Sequence, residues 1–452
     1  MKLSNRFTDK QMNRRDFLWL MGCAGATAMT APLTGCMTKD PVTGERGFVL
    51  MSEQQEIAID KKNAPHQFSS DYGVSQDKAL NQYLDSVGKN IAQTSHRPHM
   101  PYNFQVVNAT YVNAYAFPGG SIAATRGILL EMDNEAELAA LIGHEVAHVN
   151  ARHTAERATR SQIAGVIATA ATVITSQSDY SEYTEIVNSL GGMGAGALLS
   201  RYSRDNEREA DSLGLQYMVQ SGQNPQGMVG LMEMLNGTKH SEPNIIERMF
   251  SSHPMSSERY KTAVEQVSKQ YGSEKNRPLN KERYMDHTAG LRKIKTSIKG
   301  IQAAENEMNK GNFSAAESLF NTALRQAPDD YCGLVMSAKC QLSQDKLEHA
   351  NRLLEQAQSI YPEEAQAVHL SGVTQLKLGQ NESAFNQFHR YEQQMPGNPN
   401  SVFFQAVALE RMQEKDRAAN QYMRFLKQVK QGDQAQHAYN RLVEWGHIKP
   451  QS

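Results

Sequence analysis

LAALIGHEVAHVNARH, residues 138–153, places three histidines and one glutamate in its last ten positions. A helix turns about 100° per residue, so His144 and His148, four apart, share one face and both imidazoles can reach one ion. Glu145 lies one step round, where it can address a water on that ion. The stretch therefore predicts a metal-binding helix. It starts near Asn134, a good N-cap, with Glu135 and Glu137 in the first turn, where the helix dipole favours acids. His153 is five residues past His148, which rotates it by about 140° on an unbroken helix. Ala151 and Thr154 stand where a glycine and a further histidine would mark a break. His153 is read as a structural residue on the far side.

A catalytic zinc keeps three protein ligands and one open position, so two histidines are not enough. The third donor is sought in DNEREAD, residues 205–211, which opens a second amphipathic helix through Leu213, Leu215, Met218 and Val219 and stops at Gly222, with Pro225 beyond. Glu207 and Asp211 are four apart and share a face. One can bind the ion while the other accepts a hydrogen bond from a ligand histidine and fixes its tautomer. Glu209 is the fallback, with no partner on its own face. One Zn2+ per chain is expected.

Upstream, Tyr102 to Val107 and Ser121 to Thr125 read as short strands flanking NAYAFPGG, residues 113–120, whose Pro118-Gly119-Gly120 is a strong turn signal. The alanine-rich run from Ile163 to Thr175 is too short to span a bilayer and reads as a core helix. Downstream, Pro328, Pro362 and Pro396 recur at equal spacing, in phase with Ala316, Ala350, Ala384 and Ala418 and with Phe320, Leu354, Phe388 and Tyr422. A period of about 34 residues, with small residues where helices touch and a bulky residue one turn later, is the tetratricopeptide signature. Four repeats are expected over 297–432, followed by a capping helix from Asp433 to Trp445. The polar composition after Gly272 suits a linker. The expected organisation is an export signal over 1–35, a first folded domain over 36–271 that carries the metal motif, a linker over 272–296, and the repeats with their cap over 297–452. The fold class is mainly α with a small β-sheet, an α+β domain, followed by an all-α solenoid.

A formal net charge of −1 and the lack of any long single-sign run argue against nucleic-acid binding. Hydrophobic residues at 39% and charged residues at 21% suit soluble globular domains, and no apolar run reaches about 20 residues. Asn13-Arg14-Arg15-Asp16-Phe17-Leu18, the apolar stretch to Thr30 and Leu33-Thr34-Gly35-Cys36 resemble a twin-arginine export signal ending in a lipobox. Lipidation of Cys36, a lipid anchor in the membrane and a mature body outside the cytoplasm follow as expectations. Met37 after that cysteine favours the outer membrane by analogy with enteric bacteria. Cys332 and Cys340, eight residues apart on one expected helix, lie about 12 Å apart, too far for a disulfide.

HEVAH, NEREAD, NAYAFPGG and the later Ser251-Ser252-His253-Pro254 occur in the order and approximate spacing of the HtpX-like and CAAX-prenyl-protease-like zinc metallopeptidases. The chain resembles the secreted, repeat-bearing members of that family. The resemblance implies His144, His148 and Glu207 as zinc ligands, Glu145 as general base and Asp211 as supporting acid. It implies an edge strand around Asn113, Tyr115 and Phe117 against which an extended peptide pairs. It also places His253 near the zinc, to stabilise an oxyanion or to fill the fourth position in a latent state. The implied work is hydrolysis of misfolded or stalled envelope proteins at the periplasmic face of the outer membrane. The repeats would recruit those substrates or the outer-membrane β-barrel assembly machinery. A chaperone or assembly scaffold with a latent or vestigial metal site is the alternative, and the glutamate in the general-base position argues against it.

Overall fold

The computed structural model describes residues 38–44, 46, 47, 49, 51–157, 201–237, 249 and 253–449. The expected signal with Cys36 and the apolar run over 163–175 lie outside the described residues.

A short antiparallel ribbon, β1 (Thr38–Lys39) and β2 (Arg46–Gly47), leads into α1 (Glu53–Ser70). That helix opens on a capping box, in which Ser52 Oγ accepts from Gln55 N–H and the Gln55 side chain accepts from Ser52 N–H. Helix α2 (Lys78–Gln93), capped by Asp77, precedes a three-stranded sheet of β3 (Asn103–Val107), β4 (Ala114–Ala116) and β5 (Ser121–Thr125). Its order is β3-β5-β4, with β3 parallel and β4 antiparallel to β5. The predicted turn at 118–120 reverses the chain between β4 and β5, with Gly120 at φ 106° and Phe117 N–H donating to Ser121 O. Side chains alternate across the sheet. Phe104, Val106, Ala114, Ala116, Ile122 and Ala124 enter the main core, whereas Val107, Tyr115, Phe117 and Ala123 pack with Ala64 and Phe68 of α1.

After α3 (Arg126–Glu131), helix α4 (Glu135–Asn150) runs through the middle of this domain with every residue buried. It packs against α5 (Arg204–Gln220) and α6 (Gln226–Leu235), and α6 in turn against α7 (Ser257–Gln270). Gly143 of α4 faces Gly214 of α5. A Cβ on Gly143 would lie 2.7 Å from Gly214 O, and one on Gly214 would lie 2.7 Å from His144 N. The two backbones therefore touch where any side chain would separate them.

The stretch 272–296, expected to be a linker, is largely helical. It forms α8 (Lys281–His287) and α9 (Ala289–Lys293). Tyr284 is fully buried and its hydroxyl donates to Leu129 O at 2.6 Å, while Arg283 pairs with the buried Glu135. Tyr284 and Leu291, one on each helix, are its buried apolar anchors, and most of the remaining residues are polar, so its composition reads as polar.

From α10 (Lys295–Asn309) onward the chain is a tetratricopeptide solenoid. Its helix pairs are α10 with α11 (Phe313–Gln326), α12 (Tyr331–Ser343) with α13 (Leu347–Ile360), α14 (Ala365–Lys377) with α15 (Asn381–Gln394), and α16 (Pro399–Arg411) with α17 (Lys415–Gln428). Helix α18 (Asp433–Glu444) closes the array. The periodic alanines and the bulky residues four positions later are all fully buried, as helix-to-helix contact requires. Cys332 and Cys340 are buried and free.

The solenoid docks on the first domain through polar side chains. Arg126, at the start of α3, donates to both oxygens of Asp330, the N-cap of α12, at 2.6 and 2.9 Å, and both groups are buried. Gln366 donates to Ser69 O at 2.9 Å, Gln302 donates to Thr110 O, and Ser69 Oγ and the Tyr331 hydroxyl both donate to the buried Glu364.

Candidate metal centre

The Asn134 side chain accepts from Glu137 N–H and starts α4 at the predicted residue. Three turns on, His144 and His148 project from one face with their Nε2 atoms 3.0 Å apart. The glycine contact brings α5 alongside, and Glu207, in its first turn, reaches the same point. Glu207 Oε1 lies 3.6 Å from His148 Nε2, and Oε2 lies 3.6 Å from His144 Nε2. The loop before α7 delivers His253, whose Nδ1 is 3.4 Å from His144 Nε2 and 3.1 Å from Glu207 Oε1. Bonds of about 2.0–2.1 Å to a tetrahedral zinc would separate the ligand atoms by about 3.3–3.4 Å, and these distances straddle that value. All four residues are buried, and among the described residues they form the cluster of histidine and carboxylate groups able to hold a metal.

Two further observations fit an ion at this point. Two imidazole nitrogens and a carboxylate oxygen converge, a donor set that suits zinc. Glu145 is fully buried beside them, and neither of its carboxylate oxygens has a hydrogen-bond donor among the described residues. A buried carboxylate without a donor is costly unless something in the site faces it. His253 faces it within the site, with Nε2 at 3.8 Å from Glu145 Oε1.

Charge in the site is set by burial and then by neighbours. Burial pushes the Glu145 carboxyl above its ordinary range, against the pull of His253 and His144. For Glu207, burial pulls upward as well, but His253, His144 and Arg259 outweigh it and hold the carboxylate low. Burial, reinforced by His144, His153, His253 and Arg259, holds His148 well below the usual imidazole value, in the neutral form a metal ligand needs.

Asp211 lies one turn along α5 from Glu207, with Oδ1 at 3.0 Å from His144 Nδ1. This is where an outer carboxylate fixes a ligand's tautomer. Arg259 of α7 was not singled out from sequence. It donates to both oxygens of Asp211 at 2.6 and 2.7 Å, to Pro254 O at 3.0 Å, and lies 2.7 Å from Glu207 Oε2. Its only local signal is its place in the first turn of a helix capped by Ser256. Tyr202, also unforeseen, stacks on the His148 ring with centroids 3.9 Å apart.

Two expectations are corrected. His153 is not on the far side of the helix: α4 ends at Asn150, Arg152 takes a left-handed φ of 57°, and His153 Nδ1 returns to 2.8 Å from His148 Nδ1. The break needs no glycine, because Arg152 Nε donates to the buried Glu56 at 2.9 Å and its guanidinium also donates to Met51 O. Glu209 does have a partner, with Oε2 at 3.2 Å from His153 Nε2. In the predicted edge strand, Tyr115 and Phe117 point away from the metal cluster into the α1 side of the sheet, with the Tyr115 hydroxyl donating to Asp71 at 2.6 Å. Asn113 lies just outside β4 and pairs with Thr125 through its backbone. What β4 offers outward is the backbone of Ala114 and Ala116, since Asn113, Tyr115 and Phe117 alternate as the residues paired to β5.

The family model described as peptidase family M48 matches residues 78–267, and a tetratricopeptide repeat model matches residues 308–372. The chain is similar to the beta-barrel assembly-enhancing protease of Yersinia pestis, 25% identical over 365 residues that cover 75% of this chain and 74% of that protein. A putative beta-barrel assembly-enhancing protease of Vibrio cholerae is 27% identical over 234 residues, covering 51% of this chain and 46% of its own. Metalloprotease YcaL of Escherichia coli is 33% identical over 201 residues, which make up 44% of this chain and 72% of YcaL.

Proposed function

The chain belongs to peptidase family M48, and from that premise we propose that it is a zinc metalloendopeptidase of the bacterial envelope that cleaves misfolded or stalled periplasmic and outer-membrane proteins. The observation that carries this reading is the convergence of His144, His148 and Glu207 beside a buried Glu145 whose oxygens have no donor among the described residues. His144 Nε2, His148 Nε2 and one Glu207 oxygen would hold the ion, which when bound supplies Lewis acidity, acidifying water and polarising a peptide carbonyl. Glu145 takes the proton of the attacking water and delivers it to the leaving amine, and its raised affinity for a proton suits both halves of that transfer. The outward N–H and C=O groups of Ala114 and Ala116 hold an extended substrate by strand addition beside the site.

His253 would supply a fourth donor, and with that position filled the enzyme would be latent. Withdrawal of its loop would open a position for substrate. His253→Ala is expected to raise casein digestion with zinc retained; unchanged digestion and coordination would remove the loop from the account. An anchor at Cys36 would hold the enzyme at the inner leaflet of the outer membrane. The solenoid would bring it substrates or the β-barrel assembly machinery, in keeping with the naming of the Yersinia relative. Digestion by His253→Ala and by the double variant with Glu145→Gln tests the chemistry. A loss of roughly 10²–10⁴-fold is expected for removing the general base, and equal activity contradicts the protease reading.

A further inference from the structure

We infer that His153 and Glu209 form the positioning chain for the metal ligand His148, fixing its tautomer and its ring from the side opposite the ion. The inference rests on the reading of His144, His148 and Glu207 as zinc ligands and goes beyond it. His144 has its outer partner in the carboxylate of Asp211. Among the described residues the partner at His148 Nδ1 is not a carboxylate but the Nδ1 of His153, at 2.8 Å. Beyond it, His153 Nε2 is 3.2 Å from Glu209 Oε2.

Proton bookkeeping leaves one consistent assignment for the chain with His148 as ligand. His148 Nε2 points at the other donors and must carry a lone pair, so its proton is on Nδ1. His153 Nδ1 then accepts that proton's hydrogen bond, and the remaining N–H of His153, on Nε2, donates to Glu209. Each link is donor to acceptor, and the chain ends on a carboxylate. Glu209 is 40% exposed while His153 is 1% exposed, so the chain runs from the buried cluster to solvent. Tyr202 fixes the plane of the His148 ring by stacking at an angle of 17°. The left-handed Arg152, held by Glu56, is the backbone feature that places His153 beneath His148.

The test uses the full chain and the zinc ion alone, with affinity read by competition against a chromogenic chelator. Loss of an outer partner of a ligand histidine costs about 10–100-fold in metal affinity. His153→Phe keeps the ring's shape and removes the acceptor, and it is expected to weaken zinc binding by that amount. His153→Asn places an amide oxygen near the position of Nδ1 and is expected to recover part of the loss, which a merely space-filling role would not allow. Glu209→Gln lies at the surface and leaves packing undisturbed; it is expected to weaken zinc several-fold even if His153→Phe fails to fold. Wild-type affinity in Glu209→Gln, or in His153→Phe, overturns the inference, as does an Asn variant no better than Phe. A wild-type chain that binds no zinc overturns the metal-centre reading and this inference with it.

Discussion

Arg259 enters the site from α7, an element that carries none of the metal donors, and neutralises Asp211 and Glu207 together. Its removal would strand two buried carboxylates. Arg259→Leu is therefore expected to cost about 3–5 kcal/mol, the penalty for breaking a buried pair from one side, read as a lower urea midpoint of the metal-free protein. An unchanged midpoint would mean that His144 and His253 satisfy those carboxylates alone. The contrast with Glu145 shows what a sequence carries at this scale. HExxH encodes its own geometry, because four residues on a helix are a fixed distance and direction. Arg259 has no such local code: it sits in an ordinary capped first turn, and its meaning comes from Asp211, 48 positions away. His253 was singled out only by resemblance, for the same reason.

Helices α4 and α5 carry their donors to one point because Gly143 and Gly214 let the two backbones meet. A methyl group on Gly214 would press on the backbone of His144 itself, which no side-chain rotation relieves. Gly214→Ala is expected to cost about 1–3 kcal/mol as overpacking and, by moving Glu207 away from the histidines, to weaken zinc binding as well. Equilibrium unfolding and chelator competition on one preparation check both. A loss of stability with full zinc affinity would show that the donors follow one another and not the helix contact. The helices, the strands flanking 113–120 and the repeat period were legible, since each follows from spacing within a few turns. The end of α4 was not. Nothing near Arg152 signals a left-handed residue, and what holds it is Glu56, 96 positions earlier. The helices within 272–296 were not legible for a related reason: their buried anchors, Tyr284 and Leu291, are too sparse to outweigh polar neighbours in a compositional reading.

At the scale of the molecule, the solenoid is fastened beside the sheet that borders the site. Arg126 directly follows β5, and Asp330 caps a repeat helix. Asp330→Ala leaves a buried guanidinium unpaired and is expected to weaken the union of the two regions by about 3–5 kcal/mol. Calorimetry should then show two separated transitions where the parent shows one, and a single unshifted transition would assign the fastening to the Glu364 and Gln366 contacts. The sequence located the repeats and the helices that carry His144, His148 and Glu207 but held no trace of this docking, because Arg126 and Asp330 have no shared period or motif. The central claim is that one zinc ion sits among His144, His148 and Glu207. Anomalous diffraction above and below the zinc edge, on crystals of the full chain, tests it most directly. The account predicts one peak per chain, about 2.0–2.2 Å from His144 Nε2, His148 Nε2 and a Glu207 oxygen. A peak elsewhere, or none from a folded, zinc-supplied chain, contradicts it.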